Sequence, residues 1–164
     1  MEKKIVRKRQ LIWAAIVASL LCLAYAVWSM EYALVVVSGP SMEPTYHDGD
    51  KLIVTRVKGI EELPHNYPVC VLYDPDNNLV IKRLIGYPGD SVRLEGGTTL
   101  VNGKDIFGYR MAGWDELELD VPASHCLFLG DNRLNSVDAR FWEGTYTKED
   151  HIIGYIPDSG LEVN

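Results

Sequence analysis

Polar and apolar positions along this chain follow two regimes, and the change falls at residue 31. From Leu11 to Met30 the run "LIWAAIVASLLCLAYAVWSM" contains no charge and only two serines. At about 1.5 Å per residue, a helix of that length spans about 30 Å, the hydrocarbon thickness of a bilayer. Past Met30 the pattern breaks into short runs of branched and aromatic residues: Ala33–Val37, Lys51–Val57, Val69–Tyr73, Leu79–Tyr87, Ser91–Glu95, Thr98–Ile106, Cys126–Asp131 and Ile152–Ile156. Turn-forming clusters separate them, at His47 to Asp50, Asp74 to Asn78, Pro88 to Asp90 and Gly96-Gly97. Asn102-Gly103 is the favoured pair for a type I′ hairpin. Many short strands so spaced predict a sandwich or partly open barrel. No long amphipathic helical pattern follows. The expected fold is mainly β, with one N-terminal transmembrane helix and the boundaries 1–10, 11–30 and 31–164.

Charge orients this picture. The first ten residues, "MEKKIVRKRQ", carry five Lys or Arg against one Glu, and Glu31 opens the far side of the apolar run. By the positive-inside rule the N-terminus is cytoplasmic and everything from Glu31 onward lies outside, in a single-pass arrangement. A rival reading is a cleaved secretory signal, because Ala24-Tyr25-Ala26 is a small-x-small sequence behind a basic and an apolar region. The anchor reading is preferred because the apolar run continues through Val27, Trp28 and Met30.

Composition excludes other classes. The net charge of −7 is carried wholly by the part beyond the basic N-terminus, so no nucleic-acid footprint exists. Apolar residues at 47% and charged residues at 24% describe a globular chain rather than a disordered one. Cys22, Cys70 and Cys126 have no metal-ligand spacing and no CxxC pair, so neither metal nor cofactor is expected. Cys70 and Cys126 read as core residues, with a disulfide between them left open. The histidines, His47, His65, His125 and His151, fall at turns and strand edges.

Three polar groupings interrupt the β pattern. "SGPSMEPT", Ser38 to Thr45, holds Ser41 between prolines, which exclude regular structure. Lys82 and Arg83 lie side by side in "LVIKRLIG", among branched aliphatics. Alternation sends them to opposite faces, so one approaches the interior unless the strand is an edge carrying a protective lysine. A lysine desolvated there loses its charge more easily and becomes a base. "GDNRLNSVDAR", Gly130 to Arg140, gathers Ser136 with Asp138 and Arg140, a pair able to hold that serine in place. A lone serine and a desolvated lysine are the parts of a Ser/Lys hydrolase.

These motifs, in this order after a basic N-terminus and an anchor, resemble the type I signal peptidases in their small, Gram-positive-like form. The likeness runs along nearly the whole chain. It implies a membrane-bound serine endopeptidase that removes signal peptides from secreted preproteins at small-x-small motifs. Ser41 corresponds to the nucleophile and Lys82 to the general base, with Ser136 orienting the lysine amine. Asp138, Arg140 and Arg83 correspond to supporting residues, and Gly39, Pro40, Met42 and Pro44 to the nucleophile and oxyanion loop. Val37 and Ile81 are candidate walls of the substrate pocket. The resemblance further implies a monomer in a bacterial cell membrane, with the lipid bilayer and preproteins as partners. Gly39 stands where some members carry a hydroxyl that completes the oxyanion hole. A binder of precursors that does not cut them would be expected to lack the serine or the lysine, and both are present.

Overall fold

The computed structural model describes residues 2–108 and 116–161, and it divides into a unit of residues 1–32 and a unit of residues 33–164. In the first, helix α1 runs Glu2–Glu31. Its apolar stretch within Arg7–Glu31 has a mean hydropathy of 2.2 and buries none of its surface in the protein. A stretch apolar on every side, with no buried residue, is suited to hydrocarbon. Tyr25, Trp28 and Tyr32 stack in succession at its C-terminal end, with centroids 6.5 and 5.9 Å apart, as aromatic residues do at a membrane surface. Ala24-Tyr25-Ala26 lies inside the helix and is not extended as a scissile segment must be.

Among the described residues, eleven short strands follow the helix: β1 Tyr32–Val36, β2 Lys51–Arg56, β3 Val69–Tyr73, β4 Leu79–Gly86, β5 Ser91–Glu95, β6 Thr98–Val101, β7 Lys104–Asp105, β8 Leu117–Asp120, β9 His125–Leu129, β10 Thr147–Lys148 and β11 Ile152–Tyr155. They form a seven-stranded sheet in the order β1-β2-β11-β3-β4-β9-β10 and a four-stranded sheet in the order β7-β6-β5-β8. The expected hairpin forms at Asn102-Gly103, where both residues take the positive φ of a type I′ turn, 51° and 79°. It splits the predicted Thr98–Ile106 run into β6 and β7. Strand β8 escaped the sequence pattern because "LELD" alternates half-buried leucines with exposed acids on a sheet edge. Strand β10 is two residues long and leaves no periodic signal.

The larger sheet is covered on both faces. Val69 and Val71 of β3 pack with Met42, Val54 and Ile156 in one cluster, while Cys70 and Leu72 join Leu84, Phe128 and Leu129 in another. That explains why β3 reads as an unbroken apolar run, since Val69 to Leu72 are buried on both faces and only Tyr73 at its end is exposed. Strand β4 is interior too, paired with β3 from Leu79 to Arg83 and with β9 from Arg83 to Gly86, and Lys82 within it is buried. Lys82 is therefore no edge-strand lysine. Cys70 and Cys126 are free and fully buried on β3 and β9, with β4 between them. Two strand spacings amount to about 9–10 Å, beyond the roughly 7 Å a disulfide can bridge. Burial raises both thiols, Cys126 to about 12, so neither is a nucleophile near neutral pH.

Strand β11 depends on a residue without a side chain. A Cβ at Gly154 would lie 2.1 Å from the Thr55 carbonyl oxygen on neighbouring β2, a backbone atom that cannot yield cheaply. Gly154→Ala is expected to destabilise the β unit by about 1–3 kcal/mol, measured by denaturant unfolding against the parent chain.

Candidate active site

Residues 38–50 connect β1 to β2 as a loop closed at its base. The Val37 N–H donates to the Asp50 carbonyl and the Gly49 N–H to the Val37 carbonyl, each at 2.9 Å. Proline at positions 40 and 44 keeps the segment out of both sheets, and the Glu43–Pro44 peptide is cis. Met42, 1% exposed, fixes the loop from below by entering the cluster of Val54, Val69 and Val71. Gly39 takes φ +84°, a left-handed conformation strained for any other residue, and its N–H donates to Asp48 Oδ1 at 2.8 Å. The glycine answers to the shape of the loop.

This loop brings Ser41 to Lys82. Lys82 Nζ donates to Ser41 Oγ at 2.9 Å across 41 positions of sequence. The lysine is 4% exposed. Its surroundings follow from register: the ladder between β4 and β9 ends at Arg83 opposite Leu129, and the chain then leaves the sheet at Gly130 beside Lys82. Burial pulls the Lys82 ammonium below its ordinary 10.5, outweighing the attraction of Asp138, Asp131 and Asp74.

Arg83, one residue on, has a different fate. Its Nε and Nη2 grip Asp131 Oδ1 and Oδ2 at 2.8 and 2.7 Å, and Nη1 reaches the carbonyls of Tyr67 and Ser159 at 2.9 and 2.6 Å. Both partners of the ion pair are buried. Asp131 Oδ2 also accepts the Thr45 hydroxyl at 2.6 Å, so the pair holds the far end of the Ser41 loop. Thr45 and Asp131 lay inside the two motifs, but nothing in either motif paired them.

The loop from Gly130 to Arg140 closes the site from the other side. Asp138, fully buried, receives Arg140 Nε and Nη2 at 2.8 and 2.9 Å and the Gly130 N–H at 2.9 Å. Burial alone would raise the Asp138 carboxyl, but Arg140 and the Gly130 N–H hold it below its ordinary 3.8. Ser136 is buried in the same loop, and its hydroxyl makes no hydrogen bond of ordinary geometry among the described residues. The expected bond to the lysine amine is not formed, and Lys82 Nζ instead meets Ser41. Gly130, which carried no role in the sequence reading, sets how close these parts come. A Cβ there would stand 2.1 Å from Ser136 Oγ and 2.6 Å from the Ser41 carbonyl oxygen.

A cavity of about 150 Å³ opens beside Ser41 and Lys82. Val37 and Ile81 line it together with Val35, Ser38, Met42, Val71 and Leu79. The lining is mostly aliphatic, with Ser38, Ser41 and Lys82 adding polar groups, a mixture that suits an apolar side chain beside a polar one.

The family model "Signal peptidase, peptidase S26" matches residues 10–158. The chain belongs to the signal peptidase family. A signal peptidase I of Bacillus amyloliquefaciens is 34% identical over 172 residues, covering 93% of this chain and 87% of that relative. Signal peptidase I T of Bacillus subtilis is 32% identical, covering 87% and 80%. A solved signal peptidase I of Enterococcus faecalis superposes with a TM-score of 0.49 at 25% identity, covering 57% of this chain and 97% of that one. As a family member the chain is a serine endopeptidase, a membrane enzyme that removes signal peptides.

Asp138 provides a pH test of this signal peptidase fold. A carboxyl whose folded value is depressed stabilises the fold above its unfolded 3.8, and that contribution is lost as pH falls through the lower folded value. Asp138→Asn is expected to cost about 3–5 kcal/mol near neutral pH, because the Arg140 charge loses its partner. Below pH 3.8 the gap to the parent should narrow, as unfolding curves across pH would show.

Proposed function

We propose that this signal peptidase cuts with Ser41 as nucleophile and Lys82 as general base. The observation that carries the reading is the 2.9 Å contact between Ser41 Oγ and a buried Lys82 amine. Burial shifts that amine toward its neutral form relative to an ordinary lysine, and a neutral Nζ accepts the Ser41 proton. Oγ then attacks the scissile carbonyl carbon, and the negative charge passes to the carbonyl oxygen. The Ser41 N–H faces that oxygen, and one such donor contributes about 3–4 kcal/mol to the transition state. Lys82 returns the proton to the departing amine, leaving an ester on Ser41. Water, deprotonated by the Lys82 amine, then attacks the ester and releases the signal peptide, and Lys82 returns the proton to Ser41 Oγ.

In this reading Asp138 and Arg140 brace the loop behind the lysine, Ser136 packs beneath Gly130 close to the reacting pair, and Arg83 fixes the nucleophile loop through Asp131. Pro40, Met42 and Pro44 shape that loop, and Gly39 permits its turn. Val37 and Ile81 flank a cavity that accepts a small residue before the scissile bond, consistent with small-x-small cleavage sites. The apolar helix acts as an uncleaved anchor over residues 11–30, with residues 1–10 cytoplasmic and residues 31–164 extracytoplasmic, working as a monomer at the bilayer surface.

Ser41→Ala and Lys82→Ala are each expected to abolish cleavage of a preprotein in detergent or lipid, and full activity in either would sink the mechanism. The cleavage rate should rise with pH, its midpoint below the 10.5 of an ordinary lysine. A flat profile between about pH 6 and pH 10 would contradict a lysine base. The same depressed value means the folded state binds fewer protons than the unfolded state, so stability rises with pH between the Lys82 value and 10.5. Lys82→Met should lack that rise in unfolding curves.

A further inference from the structure

The Ser41 N–H is an oxyanion donor only if its peptide plane faces the reaction, and the Pro40–Ser41 peptide has an unusual restraint. This peptide is trans, so its carbonyl and its N–H point in opposite directions. Asn132 Nδ2 donates to the Pro40 carbonyl oxygen at 3.1 Å. The Asn132 N–H donates to the Ser41 carbonyl oxygen at 3.0 Å. One residue thus holds the carbonyls on both sides of the nucleophile. Asn135 Nδ2 donates in turn to Asn132 Oδ1 at 3.2 Å, and the Asn135 N–H donates to the Asn132 carbonyl at 3.0 Å, which fixes the orientation of the Asn132 amide. Among the described residues the Ser41 N–H itself has no hydrogen-bond partner.

We infer that Asn132 is a positioning residue that aims the Ser41 N–H at the developing oxyanion. The inference rests on Ser41 being the nucleophile. Drawing the Pro40 oxygen to one side turns the Ser41 N–H to the other, away from Asn132. The Glu43 N–H also donates to the Pro40 oxygen, at 3.1 Å, but it belongs to the same turn and moves with it. Asn132 comes from the loop that carries Asp131, Ser136 and Asp138, so its bond refers the peptide plane to the other half of the site. A hydrogen bond at the carbonyl also polarises the peptide and strengthens its N–H as a donor.

The test compares Asn132→Ala and Asn132→Asp in the full-length protein in detergent, with a preprotein as substrate. Alanine removes the side-chain bond and keeps the backbone bond to Ser41. Aspartate keeps size and shape but sets a carboxylate oxygen against the Pro40 oxygen and adds negative charge near the oxyanion. The expected result is kcat about tenfold lower for alanine and about a hundredfold lower for aspartate. For alanine, which adds no charge, KM should stay within about twofold and the midpoint of the pH profile should not move. If Asn132 merely fills space, aspartate is the milder change; aspartate equal to or better than alanine would overturn the inference. So would an unchanged kcat, or a loss confined to KM. A peptide boronic acid, which becomes a tetrahedral anion on accepting the Ser41 oxygen at boron, decides the matter even if the alanine variant does not fold. Its affinity for N132D should fall further than that of an uncleavable peptide of the same sequence, and an equal fall would overturn the inference. Ser41→Ala, run alongside, separates failure of this inference from failure of the Ser/Lys reading: cleavage surviving in that variant condemns the nucleophile rather than Asn132.

Discussion

The arrangement around Ser41 depends on the buried ion pair between Arg83 and Asp131. An isolated charge in the interior costs several kcal/mol, and a pair offsets that only with good geometry and satisfied remaining donors. Here the contact is bidentate, and the rest of the guanidinium is taken up by the Tyr67 and Ser159 carbonyls. Four separate parts of the chain meet at this group: β4, the loop after β9, the approach to β3 and the turn after β11. Through Thr45 it also gathers in the nucleophile loop. Apolar packing seats Met42, but it is non-directional and cannot by itself fix the reach of Ser41 to within hydrogen-bonding distance of Lys82.

Lys82 and Arg83 are neighbours with opposite electrostatic fates, and each fate needs the other. Both carboxylates nearest the lysine are engaged elsewhere, Asp131 by Arg83 and Asp138 by Arg140. A carboxylate already neutralised by an arginine pulls little on a nearby amine, so desolvation decides the protonation of Lys82. The two arginines thereby protect the basicity of the site by occupying its acids. Were either acid released toward the lysine, the ammonium would gain a partner and hold its proton more tightly.

Much of this was legible in the sequence, and the limit has a physical cause. The apolar run, the strands and the Asn102-Gly103 hairpin are local patterns, set by neighbours along the chain. Ser41, Lys82 and Ser136 stood out because each breaks its local pattern: a serine between prolines, a cation in an aliphatic strand, a hydroxyl in a charged loop. What stayed hidden is relational. Nothing near Thr45 announces Asp131, nothing near Arg83 announces Ser159, and Gly130 is an ordinary turn glycine until a serine and a carbonyl pack against it. That both Lys82 and Arg83 are buried follows from the interior place of β4, and strand order is not written in any one strand. β8 was obscured by its own charges.

The separation of these partners along the chain bears on when the protein acquires its activity. Thr45 waits 86 residues for Asp131, and Arg83 waits 76 for Ser159. At about 5–20 residues per second, the first interval is on the order of ten seconds of synthesis. Throughout it the Ser41 segment exists without the anchor that shapes it, and Arg83 has no interior to enter. A chain that stops short of Asp131 is accordingly no protease, and the site is fully braced only once synthesis has passed Ser159.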